Sequence, residues 1–315
     1  MLDRAQLLRQ MGWDYRHYMR YSCPRHTIYQ SRSALEGRIQ AQSHVIEKGL
    51  SARDRKPAFG RAAVWELISL LKRHSELYGS DCKGSIGSAL LVLYSYLEEE
   101  KDNCPDGIEL ENAVCQLDEM SGAGGTLSLT SDEFQSLQML SFAEFAEARH
   151  SIRDFADKPV SREIIQQVVR LAQSAPSACN RQSPRVYVLQ NKDKIRELLE
   201  TQGGTRGFAD LVRVAFIITT RTSRYSGAAE RNLAFVDGGI FLMNMLYGLQ
   251  YFGIGACPLM WDEYTMGSEY IREQLDIPCD EMVVALIGAG HVPETFKVAV
   301  SQRVKLADVL VFLNE

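Results

Sequence analysis

Residues 141–315 of this 315-residue chain read as an α/β or α+β domain built on one sheet, and the residues before them as an all-α domain. Three observations predict this. The chain exceeds the roughly 100–200 residues of a typical domain and accommodates two. Up to residue 120, apolar residues recur at spacings of three and four, as one-sided helices require. Beyond residue 140, short runs rich in β-branched residues are separated by helical stretches.

The helical part holds four candidates: DRAQLLRQMGWDYRHYMRYS, SALEGRIQAQSHVIEKGL, GRAAVWELISLLKRHSELYG and GSIGSALLVLYSYLEEE. Cys104-Pro105 breaks the last, because the residue before a proline is pushed out of the helical region. MSGAGGTLSLTSDE, residues 120–133, is the linker candidate, so the expected division is 1–120, a linker and helix start over 121–140, and 141–315. Ser161 can cap a helix carrying Ile164, Ile165, Val168, Val169 and Leu171, which stops by Pro176. RVYVLQ (185–190) is a strand, DKIRELLETQ a helix, and RVAFIITT (213–220) a buried strand. A long apolar helix follows from residue 228, then the extended piece IGACPLM and a buried strand at 280–290.

Composition excludes several classes. The chain is 45% hydrophobic and 24% charged, as in an ordinary soluble globular protein. No apolar run reaches the roughly 20 residues of a membrane span, and the N-terminus has no uninterrupted apolar segment of the signal-peptide kind. A cytoplasmic location and no membrane partner are expected. The net charge of −5 argues against nucleic acid. That charge is unevenly spread: residues 1–61 hold twelve Lys/Arg against five Asp/Glu, and residues 62–140 hold four against fourteen. The two regions either pack on each other or a partner, or the basic one draws an anionic substrate. The seven cysteines (Cys23, Cys82, Cys104, Cys115, Cys179, Cys257, Cys279) never fall at C-x-x-C spacing, so reduced thiols and no metal site are expected.

Four segments carry candidate chemistry. In EARHSIRDF, Arg149, His150, Ser151 and Arg153 gather guanidinium donors and a hydroxyl over about one turn, a donor set suited to phosphate oxygens. In SAPSACNRQSP, a helix end and a Pro176-Ser177 turn precede Asn180 and Gln182, whose amides can read the edge of a planar heterocycle. In GIGACPLMWDE, Gly253 and Gly255 permit close backbone approach, and Pro258 and Leu259 can lie against a ring face. Arg303 stands among apolar neighbours in AVSQRVKLADVLVFL. The GAG at 288–290 lacks the third glycine and following helix of a dinucleotide fingerprint. Cys179 and Cys257 have no His/Asp arrangement nearby and read as small apolar fillers.

In that order, from about residue 143 onward, the chain resembles the nitroreductase-like FMN-dependent oxidoreductases: R-x-S-x-R, A-P-S-x-x-N-x-Q, a long central helix, G-I-G-x-x-P-L, and an arginine before the last L-x-x-V-L. The resemblance implies an α+β fold, a mixed sheet flanked by helices, with the all-α domain as an N-terminal extension. It implies that Arg149, Ser151 and Arg303 bind the FMN phosphate, with His150 beside them. Arg153 would lie by the flavin N1/O2 edge, where a fixed cation stabilises the reduced anion. Pro176, Ser177, Asn180 and Gln182 would contact ring or ribityl chain, and Pro258, Leu259 and Met260 would back the flavin near N5. It further implies an intertwined homodimer with FMN at its interface, for which the nearly all-apolar central helix at 229–252 is suited. NAD(P)H is the implied reductant in a ping-pong cycle with a second small-molecule substrate.

Met260 and Trp261 stand where some members carry an acidic residue and a glycine, which puts the usual nicotinamide geometry and nitroaromatic breadth in question. RTSRYSGAAERN leaves little room for a substrate lid. In the helical extension, His44, Glu47 and Lys48 share a helix face ahead of the turn KPAFGR. They either fix the helix to its neighbours or select an anionic substrate such as a sugar nucleotide. Two other readings stand beside the leading one: an FMN protein with a non-nicotinamide reaction (oxygen-dependent oxidation, dehalogenation or flavin breakdown), or a non-catalytic binding or assembly protein.

Overall fold

A computed structural model describes residues 4–21, 32–79, 85–117, 124–225, 228–262 and 273–313. Cys23, Cys82, Ser226, Gly227, Glu263 and the first residues of the expected linker, 120–123, lie outside them. The chain divides into two compact units, Met1–Asp14 with Leu129–Phe296, and Tyr15–Ser128 with Lys297–Glu315. The first is called the sheet unit below and the second the helical unit.

After α1 (Arg4–Tyr21), the helical unit is built from α2 (Arg32–Leu50), α3 (Arg61–Tyr78), α4 (Ser85–Glu100) and α5 (Gly107–Cys115). The expected four helices are all present. The fifth is short, and its core positions Leu110, Ala113 and Val114 show the same three-to-four spacing over too few turns to stand out. Leu35, Ile39, Ile46 and Leu50 of α2 join Leu67 and Leu71 of α3 and Leu90, Leu93 and Tyr96 of α4 in one core. The turn between α2 and α3 is pinned from α4. Arg55 donates to Glu100 at 2.7 Å and to Glu99, while Glu100 also accepts the Ala58 N–H at 3.0 Å. Burial alone would raise the Glu100 carboxyl, but hydrogen bonds from Arg55, the Ala58 N–H and Asn103 hold it below its ordinary range.

The stretch expected as linker contains β1 (Thr126–Thr130) and leads directly into α6 (Ser131–Ser136). Its small residues mask the strand: TLSLT has only two apolar side chains, so it carries no buried-strand signature, yet it pairs with β6 (Thr295–Ala299) in a two-stranded sheet. Capping boxes at Thr130/Glu133 and Ser141/Glu144 start α6 and α7 (Phe142–Glu147).

The rest of the sheet unit follows the reading closely: α8 (Arg162–Ala172), β2 (Pro184–Leu189), α9 (Lys192–Gln202), β3 (Val214–Arg221), α10 (Leu233–Tyr251), β4 (Ile254–Met260) and β5 (Glu281–His291). Ser161 caps α8 by accepting the Ile164 N–H, as its position implied. The α+β class holds, with one correction. Among the described residues the four-stranded sheet runs in the order β2-β3-β5-β4 and every pair is antiparallel, so no mixed pairing is present among them. β4 is therefore an edge strand, which is where a strand tolerates Pro258, having no N–H to donate. Core residues Val168 of α8, Phe216 and Ile218 of β3, Met245 and Leu249 of α10 and Ile287 of β5 pack as one cluster.

Ala228–Tyr251 has the length and composition to cross a membrane, where no such run was expected. Its first residues form a short 3-10 turn, and α10 packs on β3 and β5 as a core helix. Its apolar character is not uniform in placement: Phe241, Met245 and Leu249 are buried, whereas Phe235, Val236 and Ile240 are exposed.

Candidate functional site

The helix α7 ends at Glu147, and the chain then runs extended beside β4. The Ile152 N–H donates to the Ala256 carbonyl at 2.9 Å, and the Ala156 N–H to the His291 carbonyl at 2.7 Å. Because side chains alternate in extended backbone, burying Ile152 turns Ser151 and Arg153 the other way. Arg149, His150, Ser151 and Arg153 are each half-buried. Gly255 is the reason the segment can come so near. A Cβ there would sit 2.9 Å from Val292 and 3.0 Å from Ile152.

The amide loop is unusual in its backbone. Cys179, Asn180 and Gln182 all have positive φ (52°, 53° and 49°), a conformation that costs a non-glycine residue about 1–2 kcal/mol. It is held from below and from the sides. The buried Asp237 carboxylate of α10 accepts the Ala178 N–H at 3.1 and 3.2 Å, and accepts the Tyr225 hydroxyl at 2.8 Å. Tyr225 in turn bonds Ser183. Burial first, and the neighbouring Asp237 carboxylate, push the Tyr225 hydroxyl up to about 12, so it stays a donor. Arg181 makes a two-pronged ion pair with Glu230 at 2.8 and 2.9 Å. The Ser177 hydroxyl accepts the Gln182 N–H at 2.9 Å, leaving its own proton to donate. Asn180 and Gln182 are exposed and bonded to each other at 3.2 Å, and Pro176 is exposed too. Cys179 is exposed in this loop rather than filling a core, whereas Cys257 is buried as expected.

Register and packing bring the third segment to the same end of the sheet as this loop. Met260 pairs with Ala285, the neighbour of Val284, which Gly238 packs against beside Thr220. Asp237, which holds the loop, precedes Gly238 in the chain. Pro258 to Met260 lie roughly 7–13 Å along β4 from Ala256, where the arginine segment docks. Leu259 is buried, Pro258 half-buried and Met260 exposed, with Trp261 buried behind it. The arginine segment therefore lies along β4, and the amide loop leads into β2 at the opposite edge of the same sheet, at the end where Pro258 to Met260 lie. Along the strand direction, the amides and the 258–260 edge share one end of the sheet, and the guanidinium and hydroxyl donors lie nearer its middle on β4.

The remaining candidates belong to the helical unit. His44 is exposed on α2, Glu47 is buried, and Lys48 is half-buried. His44 and Glu47 line a pocket together with Arg303, and Lys48 is not among its lining residues. The two lines of candidates, the helical face and the late arginine, therefore meet within one unit. Sequence reasoning missed Asp237, Tyr225 and Glu230. One signal was present: Asp237 is the single charged residue in LAFVDGGIFLMNMLYGLQY.

Comparison with known proteins bears on the sheet unit. The family described as Nitroreductase family matches residues 146–205. FMN reductase (NAD(P)H) of Bacillus subtilis (strain 168) is 31% identical over 106 residues, which is 34% of this chain and 40% of that protein. The match thus spans less than half of the reductase's own length. Chloronitrobenzene nitroreductase of Comamonas testosteroni is 23% identical over 219 residues, covering 53% of this chain and 94% of that protein. Among solved structures, an FMN-dependent nitroreductase from Clostridium difficile R20291 is 21% identical, with a TM-score of 0.43, and covers 54% of this chain and 97% of its own. The family match spans Arg149, Ser151, Asn180 and Gln182, and in that stretch the chain is similar to nitroreductases.

Proposed function

We propose that the chain is an FMN-dependent oxidoreductase that takes electrons from NAD(P)H and delivers them to a second small-molecule substrate. The observation that carries the reading is the strained loop at 177–182. Three positive-φ residues are kept in place by a buried carboxylate, and the exposed products of that arrangement are two amides. Strain of this kind persists only where surrounding structure holds it, and it clusters at ligand sites.

The residues present fit FMN. Arg149 and Ser151 supply charge-assisted donors of the kind a phosphate takes. Ser177, Asn180 and Gln182 supply a donor and paired donor–acceptor groups for the ribityl chain and ring edge. Pro258, Leu259 and Met260 present an apolar edge to a ring face. Arg153, on the same side of the segment as Ser151, would supply a fixed cation where reduction of the bound flavin concentrates negative charge. Bound there, FMN would supply the redox chemistry, accepting hydride from NAD(P)H and passing the electrons on in a ping-pong cycle. The chain's own contribution is binding, orientation and electrostatics, and no side-chain acid or base is assigned.

A homodimer belongs to the same proposal. Phe235, Val236 and Ile240 form an exposed apolar face on α10, which a second copy would cover. A cytoplasmic location accompanies it, with the five described cysteines free.

The test is the absorbance spectrum of the purified protein, heat release and identification of its flavin, and anaerobic mixing with NADH or NADPH. Bound FMN that bleaches supports the proposal. A colourless protein that takes up no FMN overturns it, and a yellow one that neither nucleotide bleaches removes the NAD(P)H half. Sedimentation of Ile240→Lys against the parent chain tests the dimer, which the added charge should dissociate.

A further inference from the structure

We propose that Arg231 is a positioning residue for the amide loop and that it works by docking α1: seating of α1 and ordering of residues 177–182 are one coupled event. The proposal deepens the flavin reading and takes its ligand from it, while the coupling concerns this chain's own side chains.

The first residues of α1, up to Asp14, belong to the sheet unit. Arg231 stands just before α10 and reaches α1 through its guanidinium. Its Nε and Nη2 each donate to the Asp14 carboxylate at 2.7 Å, and its Nη1 donates to the Gln10 side-chain oxygen at 2.8 Å. Gln10 and Asp14 are four residues apart and so share one helix face. The preceding residue, Glu230, holds the amide loop through its two-pronged pair with Arg181. Arg181 lies between Asn180 and Gln182. Its guanidinium sits 5.7 Å from the centre of the Tyr225 ring, the tyrosine that donates to Asp237. Two consecutive residues therefore grip α1 on one side and the loop on the other.

α1 depends on that grip. It leaves Leu8, Met11 and Trp13 exposed and has no acidic residue in its first turn to complement its dipole. A helix that buries so little is marginal in water. The link between the two contacts, Ala228–Glu230, is a single turn of 3-10 helix, a weak element whose shape its surroundings set. Arg231 Nη1 closes this turn by donating to the Ala228 carbonyl at 3.1 Å. The guanidinium that seats α1 thus also fixes the turn from which Glu230 projects. The amide loop, with three left-handed residues, keeps its shape only where such supports hold it. Coupling of this kind is reciprocal: a ligand that steadies the loop steadies α1 by the same factor. Residues 221–232 leave little room for a substrate lid, and α1 is docked on their last part.

The test follows backbone hydrogen exchange of residues 4–14 in the full chain by mass spectrometry, with FMN affinity by equilibrium dialysis. Saturating FMN should slow exchange in α1 of the parent chain. Arg231→Gln and Asp14→Asn should each speed that exchange and weaken FMN about fivefold, the worth of a partly exposed charged pair. The double variant should be no worse than either single one, because both remove the same contact. Arg231→Lys keeps the charge but not the fork, and should fall between Arg231→Gln and the parent. Released α1 with parental FMN affinity in both single variants overturns the proposal, and so does FMN binding that leaves α1 exchange unchanged. If the chain takes up no FMN, the flavin reading fails and Arg181→Gln in the FMN-free chain decides the coupling. Faster exchange in α1 then supports it, and unchanged exchange overturns it.

Discussion

The carboxylate of Asp237, on a helix that is otherwise uncharged, accepts the backbone N–H of Ala178 at 3.1 Å. This one contact ties the apolar centre of the sheet unit to the loop that displays Asn180 and Gln182. A buried carboxylate left without donors would be costly, and a buried N–H left without an acceptor also costs about 1–3 kcal/mol.

Asp237→Asn keeps the shape but turns a donor toward Ala178 or Tyr225. The expected result is a stability loss of about 1–3 kcal/mol in urea unfolding, with FMN affinity reduced in parallel. Asp237→Ala should lose more. An Asn variant with parental stability and parental FMN affinity would show that the carboxylate does not position the loop.

Arg153→Ala should retain FMN but lower its reduction potential, because a cation beside the developing charge is lost. For a two-electron couple, each 1.4 kcal/mol corresponds to about 30 mV. Arg149→Ala should instead weaken FMN retention. Spectroelectrochemistry together with equilibrium dialysis separates the two, and equal loss of FMN with an unchanged potential in both variants contradicts the division of roles.

In the helical unit, hydrogen bonds from Arg61 and then Trp65 hold the Asp106 carboxyl down at about 2. A depressed folded-state value means that the linked stability is present above the ordinary carboxylate value of about 4, and is lost as pH falls through about 2. The slope of stability against pH between 4 and 2 should therefore be shallower in Asp106→Asn than in the parent. Because its partner Arg61 is exposed, the change should be small and should shrink further in salt.

Thr220 on β3 is fully buried, and its hydroxyl oxygen has no hydrogen-bond partner. Thr220→Val replaces that hydroxyl with a methyl of similar size in a strand that favours β-branched residues. The variant should be more stable by about 1 kcal/mol in chemical denaturation, and a destabilised variant would mean that the hydroxyl is satisfied in solution.

Most of the elements could be read from local pattern. RVAFIITT announced β3 because every residue of a central strand is enclosed, and Ser161 announced α8 because a cap is a local hydrogen bond. β1 escaped because its stability comes from pairing with a strand some 170 positions later, and TLSLT itself has little to bury. The antiparallel sense of the sheet escaped for the same reason: direction belongs to pairs of strands, and neither strand alone encodes it.

The candidate site divides along the same line. The spacing of side chains along EARHSIRDF and SAPSACNRQ decided which donors exist and in what order, since those are properties of neighbours in the chain. Folding decided the rest. It laid the first segment on β4 at Ala256, bent the second into three left-handed residues over Asp237, and set His44 and Arg303 around one cavity. Contacts between residues hundreds of positions apart depend on how whole faces bury together, and no window of sequence contains that information.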